Sequence, residues 1–166
     1  YNFPTSDIHA HFASLYGVDY KKAKELTFKQ LYGGVFERYR SLEFFKRIEE
    51  YVGKLWNDFK EVGWIECPIS GYCFVDAALE NMNPQKLFNY LLQNLETSTN
   101  VMILWDIFCL LKGKNTKLVL YTYDSFLLDV DEEEVEVLEK IRKIFKKYEL
   151  NIKETEGYDY NFGKIA

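Results

Sequence analysis

The sequence predicts an α+β fold: several helices and a small antiparallel sheet. Three observations predict it. Apolar residues recur at three- and four-residue spacing over 41–62, the signature of a helix with one buried stripe. Two short runs rich in Trp, Ile, Tyr, Phe and Val, at 63–76 and 117–130, are each broken by a polar centre, as hairpins are. A continuous stretch opened by Asn83-Pro84 runs to about Leu111 with neither Gly nor Pro to interrupt it.

The elements follow in order. Residues 7–17 read as a short helix with Asp7 as N-cap and Gly17 as its stop. Residues 19–32 read as a second helix, capped by Asp19 and closed by Gly33-Gly34. In the third, 41–62, the predicted stripe is Phe44, Phe45, Ile48, Val52, Leu55, Trp56 and Phe59. The hairpin turns at "PISG", and a helix follows from Pro84. "KGKNT" is a polar turn, and "KLVLYTYDSFLLDV" is two strands around Tyr123-Asp124. The run "DEEEVEVLEKIRKIFKKY" reads as a helix with acids in its first turn and bases in its last, which suits the macrodipole. Its predicted stripe is Val137, Leu138, Ile141, Ile144, Phe145 and Tyr148. The tail "LNIKETEGYDYNFGKI" offers a strand, a turn and a short strand.

The bulk numbers bound the function. At 166 residues and 48% apolar composition the chain can bury a core and is not disordered. No apolar run is long enough to cross a bilayer, and no signal peptide stands at the start, so a soluble protein is expected. Three cysteines without a C-x-x-C, Cys67, Cys73 and Cys109, argue against a disulfide framework or zinc cluster and for a reducing compartment; they read as packing residues. The net charge of -5 argues weakly against a dedicated nucleic-acid binder. The charge is uneven, however: Tyr20 to Arg47 holds eight Lys/Arg against three Glu, and Asp124 to Glu139 holds eight acids and no base.

Three constellations carry candidate chemistry. Lys24, Phe28 and Tyr32 share one face of the second helix. A cation, a ring and a phenol in a row suit a nucleotide, the Lys for phosphate and the rings for sugar and base. Periodicity alone favours a plainer arrangement, with Phe28 and Tyr32 in the core and Lys24 beside them in water. Asp124 interrupts an apolar run at a hairpin tip that has no Gly to ease the turn. Held by two strands, it is a rigid ligand for a hard cation such as magnesium, or else an exposed turn residue. Asn89 and Gln93, four apart on one helix face, are amides able to reach base edges in a minor groove, or else a polar strip facing water. His9 and His11 point apart on a helix and do not make a joint metal site. Ser125 has no base partner for hydrolase chemistry.

The order of these pieces resembles the C-terminal part of family A DNA polymerases, the polymerase I-like and phage replicative group. "SDIHAHFASLYGV" is similar to that family's Asp-Ile-His-Thr segment. "KELTFKQLYGG" matches its fingers pattern K-x-x-x-F-x-x-x-Y-G through Lys24, Phe28, Tyr32 and Gly33. "YTYDSFLLDV" resembles its palm motif His-Asp-Glu, with Asp124 as the carboxylate. "LFNYLLQN" is similar to the phage-type primer–template segment, and "EGYDYNFGKI" to the closing Gly-x-x-Trp-Gly segment, with Phe162 where Trp is common. The resemblance spans nearly the whole chain.

The resemblance implies residues 1–80 as a fingers-like segment and 81–166 as a palm-like segment carrying the Asp hairpin. It implies a template-directed polymerase that adds dNTPs to a primer 3′ end with two magnesium ions. Lys24 would hold the triphosphate, Phe28 the sugar, and Tyr32 the region of the templating base. Asp124 would bind magnesium, and Asn89, Gln93 and Tyr123 would meet the primer–template DNA. The sequence departs from the pattern at Tyr20, where the family has Arg and Lys21 offers a substitute charge. It departs again at Tyr123 and Ser125, where the family has His and Glu. The family's other catalytic carboxylate belongs to a motif upstream of Tyr1, so the chain alone is expected to be inactive. It would work with the remaining polymerase regions (thumb, exonuclease and first palm motif), in a bacterial or phage-infected cytoplasm. The alternatives are a non-catalytic nucleic-acid-binding remnant and one half of a split polymerase.

Overall fold

Polar caps start the first helices. In the computed structural model, which describes residues 7–157, the Asp7 carboxylate accepts from Ala10 N at 2.9 Å and opens α1, Ile8–Tyr16. Asp19 does the same for Lys22 N at 2.9 Å and opens α2, Tyr20–Gly33. Each cap satisfies a backbone N–H that the helix itself cannot. Gly34 ends α2 at φ 98, a conformation that a residue with a Cβ rarely adopts. A 3₁₀ turn at Glu37–Tyr39 leads to α3, Glu43–Val62.

The chain divides into two compact units, the first ending at Leu95 and the second beginning at Glu96. The first holds α1–α3, the hairpin β1 (Trp64–Glu66) and β2 (Cys73–Val75), and the start of α4, Pro84–Leu111. Asn83 caps α4 by accepting from Lys86 N at 2.9 Å, with Pro84 in the first helical position, where its missing N–H costs nothing.

One cluster in this unit joins Phe12, Ala23, Val35, Tyr39 and Phe45, with Tyr16 and Phe44 packed against it. A second joins Phe59, Ile65, Cys67, Phe74, Leu87 and Leu91. Phe12, Phe45 and Phe59 are almost wholly buried. Each contributes about 2–3 kcal/mol through burial, and truncating any one to Ala should cost about 3–5 kcal/mol. Of the predicted stripe of α3, Phe45, Val52 and Phe59 are buried and Phe44, Ile48, Leu55 and Trp56 are half-buried. In the hairpin Ile65 pairs with Phe74 and both face inward, while the flanking Trp64, Glu66, Cys73 and Val75 are exposed, the period-two alternation of a half-buried ribbon.

The second unit packs the end of α4 and α5, Val137–Lys147, against the hairpin β3 (Lys117–Thr122) and β4 (Ser125–Asp129). Its core is Ile103, Ile107, Leu111, Val137 and Ile141, edged by Leu118, Phe126, Leu128, Ile144 and Phe145. The antiparallel register runs from Lys117↔Asp129 to Thr122↔Ser125, with an irregularity between Leu118 and Leu120.

The α+β class is as expected, and three details differ. The acidic run does not begin the last helix; Glu132–Glu134 form a separate 3₁₀ turn and α5 starts at Val137. The cause is local. Asp131 accepts from Glu133 N at 2.8 Å, and Glu134 turns back to accept from Asn115 N at 3.2 Å and Thr116 N at 2.9 Å. In the tail no strand forms up to Gly157. Glu154 instead takes a paired contact from Arg142 on α5, both at 2.8 Å. The closing segment with Phe162 lies outside the described residues. Of the cysteines only Cys67 is a packing residue; Cys73 and Cys109 are exposed, and no disulfide joins the three. No described helix is long and apolar enough to cross a membrane.

Candidate functional site

Helix α2 turns one face inward and another to solvent. Ala23, Leu26, Thr27 and Gln30 are buried, at the three- and four-residue spacing of a single face. Gln30, 1% exposed, is a polar hub. Its amide donates to Tyr16 Oη at 3.2 Å and to Leu26 O at 3.3 Å, and its carbonyl accepts from Phe36 N at 3.3 Å. Thr27 Oγ1 lies 3.2 Å from the same Tyr16 Oη. Burial is the main cause raising the Tyr16 pKa, so its hydroxyl stays protonated and keeps a hydrogen for this network.

That anchorage leaves Lys24, Phe28 and Tyr32 outside. Phe28 is 39% and Tyr32 40% exposed, so the plainer arrangement, with both rings in the core, is not the one adopted. Tertiary packing chose the polar-looking Thr27/Gln30 side as the inner one, because those groups find partners there. The two rings are nearly parallel, with 6.0 Å between centroids and 8° between planes. Lys24 Nζ stands 5.9 Å from the Phe28 centroid, within the range of a cation–π contact.

The four lysines of α2 are not equivalent. Lys22 and Lys29 both bond Glu25, at 3.1 and 2.7 Å. Those two hydrogen bonds, Lys29 first, pull the Glu25 pKa down to about 2, so the carboxylate stays charged and its partners stay neutralised. Lys21 and Lys24 are exposed and make no ion pair with the described residues. The two free cations are the two that the sequence singled out.

His9, which the sequence reading set aside, belongs to this face. Its ring meets Tyr20 edge-on at 5.7 Å and Phe28 at 5.9 Å, and its Nδ1 has no hydrogen-bond partner among the described residues. Tyr20, standing where a cation was expected, is half-exposed and serves as a ring wall. A signal for His9 existed only in the Asp-Ile-His segment, because its neighbours lie on another helix. His9 and His11 do point to different surroundings, and no cluster of three metal-ligating side chains exists among the described residues.

Asn89 and Gln93 part company. Asn89 Nδ2 donates to Tyr32 O at 2.9 Å, satisfying a carbonyl at the end of α2, and its Oδ1 is buried without a partner. Gln93 is exposed.

In the second unit Asp124 lies at the β3–β4 tip, in a two-residue connection between the paired Thr122 and Ser125. Its carboxylate is exposed and makes no hydrogen bond or ion pair with the described residues. Ser125 Oγ donates to Thr122 O at 2.9 Å across the turn. Tyr123 is 85% exposed and takes φ 54, a left-handed conformation that costs a bulky residue about 1–2 kcal/mol. Asn100 Nδ2, from α4, donates to Tyr123 O at 3.2 Å. Sequence reasoning missed Asn100 because an Asn at the end of the polar run "ETSTN" carries no pattern, its partner lying in another element.

As a metal ligand Asp124 fits in chemistry, a free hard oxygen on a rigid support, but not in number. No second carboxylate joins it in a group of three ligating side chains among the described residues.

No family model matches the sequence, and no curated protein matches it. Among solved structures the chain is similar to the POL domain of Pol1 from M. smegmatis in complex with DNA primer-template and dNTP. The TM-score is 0.70 at 15% identity, over 85% of this chain and 31% of that one. The chain thus spans about a third of that domain's length, and its fold is that of part of a DNA polymerase domain.

Proposed function

We propose that the chain is the nucleotide-handling part of a template-directed DNA polymerase of family A, extending a primer 3′ end with dNTPs. The observation that carries this is the solvent face of α2. Its unpaired cations Lys21 and Lys24 stand on the same helix as the stacked rings of Phe28 and Tyr32, within a polymerase-domain fold. A triphosphate carries dense negative charge, and unpaired lysines attract it without first breaking an internal ion pair. The ring pair offers a flat apolar surface to the sugar and base. His9 packs against Phe28, and Tyr20 packs edge-on against His9.

Asp124 is proposed as one ligand of a divalent cation, magnesium by its hardness. A pair of such cations about 4 Å apart would supply charge stabilisation at the transferring phosphoryl group. Among the described residues Asp124 is the one carboxylate offered toward them, and a second would come from another polymerase region, on the same or a second polypeptide. No strong general base is needed here, since positioning and charge do most of the work in phosphoryl transfer. Gln93 is the free amide for the minor groove. Asn89 is not free for that role, its donor being engaged by Tyr32 O and its Oδ1 buried.

Primer extension by the 166-residue chain tests the reading. Little or no extension is expected, together with saturable dNTP binding that Lys24→Ala weakens. Robust extension by this chain alone would remove the need for an outside carboxylate. Primer–template binding without any dNTP binding would favour the non-catalytic nucleic-acid-binding remnant, and absence of both would overturn the reading.

A further inference from the structure

The tip that presents Asp124 holds a conformation its own sequence resists. Two residues, Tyr123 and Asp124, connect the paired Thr122 and Ser125. In so short a hairpin loop the first residue takes a positive φ, and glycine is the usual occupant. Here it is a tyrosine at φ 54. Its ring cannot hold the turn by packing, because the residue is 85% exposed.

What holds it is the backbone carbonyl. Asn100 Nδ2 donates to Tyr123 O at 3.2 Å. Asn100 is 7% exposed and sits on α4, near the fully buried Ile103, so the donor is on a rigid, packed support. The Tyr123 carbonyl and the Asp124 N–H belong to one planar peptide unit. Fixing that carbonyl fixes the plane from which the Asp124 side chain departs. Ser125 Oγ, bonded to Thr122 O at 2.9 Å, closes the other side of the turn but does not touch this plane.

We propose that Asn100 is the positioning residue for Asp124: a buried amide on α4 that pins the Tyr123–Asp124 peptide in its left-handed turn and so aims the carboxylate. The use of that aim rests on Asp124 serving as a cation ligand; the pinning does not.

The test is a double-mutant cycle between Asn100→Leu and Tyr123→Gly, with Asn100→Asp as a second variant that keeps the size of the side chain and loses the donor. All are measured in the 166-residue chain. The Cα and Cβ chemical shifts of residue 123 report its φ, and Mn²⁺ alone, titrated while the Asp124 amide signal is followed, reports cation binding. Both Asn100 variants should move the residue 123 shifts toward extended values. They should weaken Mn²⁺ binding by about three- to tenfold, the worth of one hydrogen bond. With Tyr123→Gly in place, the turn no longer needs its anchor, and the same Asn100 changes should have little effect on either signal. Unchanged Tyr123 shifts in both Asn100 variants would overturn the proposal. So would an equal Asn100 effect in the Tyr and Gly backgrounds, which is what a merely structural role in α4 produces. If the shifts behave as expected but Mn²⁺ leaves Asp124 untouched in the unsubstituted chain, the pinning stands and the cation role of Asp124 is lost.

Discussion

Asn89 donates its side-chain amide to the backbone carbonyl of Tyr32 at 2.9 Å, joining α4 to the end of α2 across 57 residues of sequence. The last carbonyls of a helix lack internal partners, and this bond supplies one of them. Asn89→Ala should therefore destabilise the protein by about 1 kcal/mol. Gln93→Ala, one turn along and exposed, should change stability by less than about 0.5 kcal/mol. Urea denaturation of the two variants decides it, and equal effects would deny Asn89 its anchoring role.

The unequal lysines of α2 make a paired prediction. Lys24→Ala should weaken dNTP binding by about tenfold, the worth of a hydrogen bond to a charged group. Lys22→Ala should do little, because Lys22 is already bound to Glu25. Calorimetric titration of both variants with a dNTP is the measurement. A similar loss from each would mean that α2 acts only through its summed charge.

Gln30 should matter to folding rather than to ligands. It is 1% exposed and bonds Tyr16, Leu26 and Phe36 at once. Gln30→Leu keeps the volume but strands the Phe36 N–H in a partly buried place, at a cost of about 2 kcal/mol. A thermal midpoint equal to that of the unsubstituted protein would show that the hub adds no stability.

Glu134 ties the segment before β3 to the acidic turn. The backbone N–H of Thr116 is the first cause holding its pKa below the ordinary 4.5, followed among the lowering causes by the Thr116 side chain and Asn115 N–H. A depressed folded-state pKa means stability that is fully present above the unfolded value and lost as pH falls through the folded one. Stability should thus decline as pH falls below about 4.5, the unfolded carboxylate value. Glu134→Gln should be less stable at neutral pH and show a shallower decline in that acid window. Urea midpoints measured from pH 7 down to pH 3 check this, and parallel curves for the two proteins would contradict it.

Much of the fold was legible in local sequence. The caps Asp7, Asp19 and Asn83 act within three residues, and the stripe of α3 repeats with the helix period, so both are written in adjacent letters. The start of α5 was not, because Glu134 has its partners at Asn115 and Thr116, in a different element. The tail was not, because Glu154 is held by Arg142 rather than by a neighbouring strand.

The sequence by itself determined the helix and hairpin order, the uneven charge, and which side chains could carry chemistry: Lys21, Lys24, Phe28, Tyr32, Asn89, Gln93, Tyr123 and Asp124. Tertiary structure alone decided which of them are free to act. It turned Thr27 and Gln30 inward and left the rings outside, neutralised Lys22 and Lys29 but not Lys24, and engaged Asn89 but not Gln93. It also set Asn100 beneath the Asp124 turn. The physical reason is common to all of these. Helix period and capping are short-range, but a polar group's partner is chosen by whatever the fold brings within 3 Å or so, and that depends on residues far away in sequence.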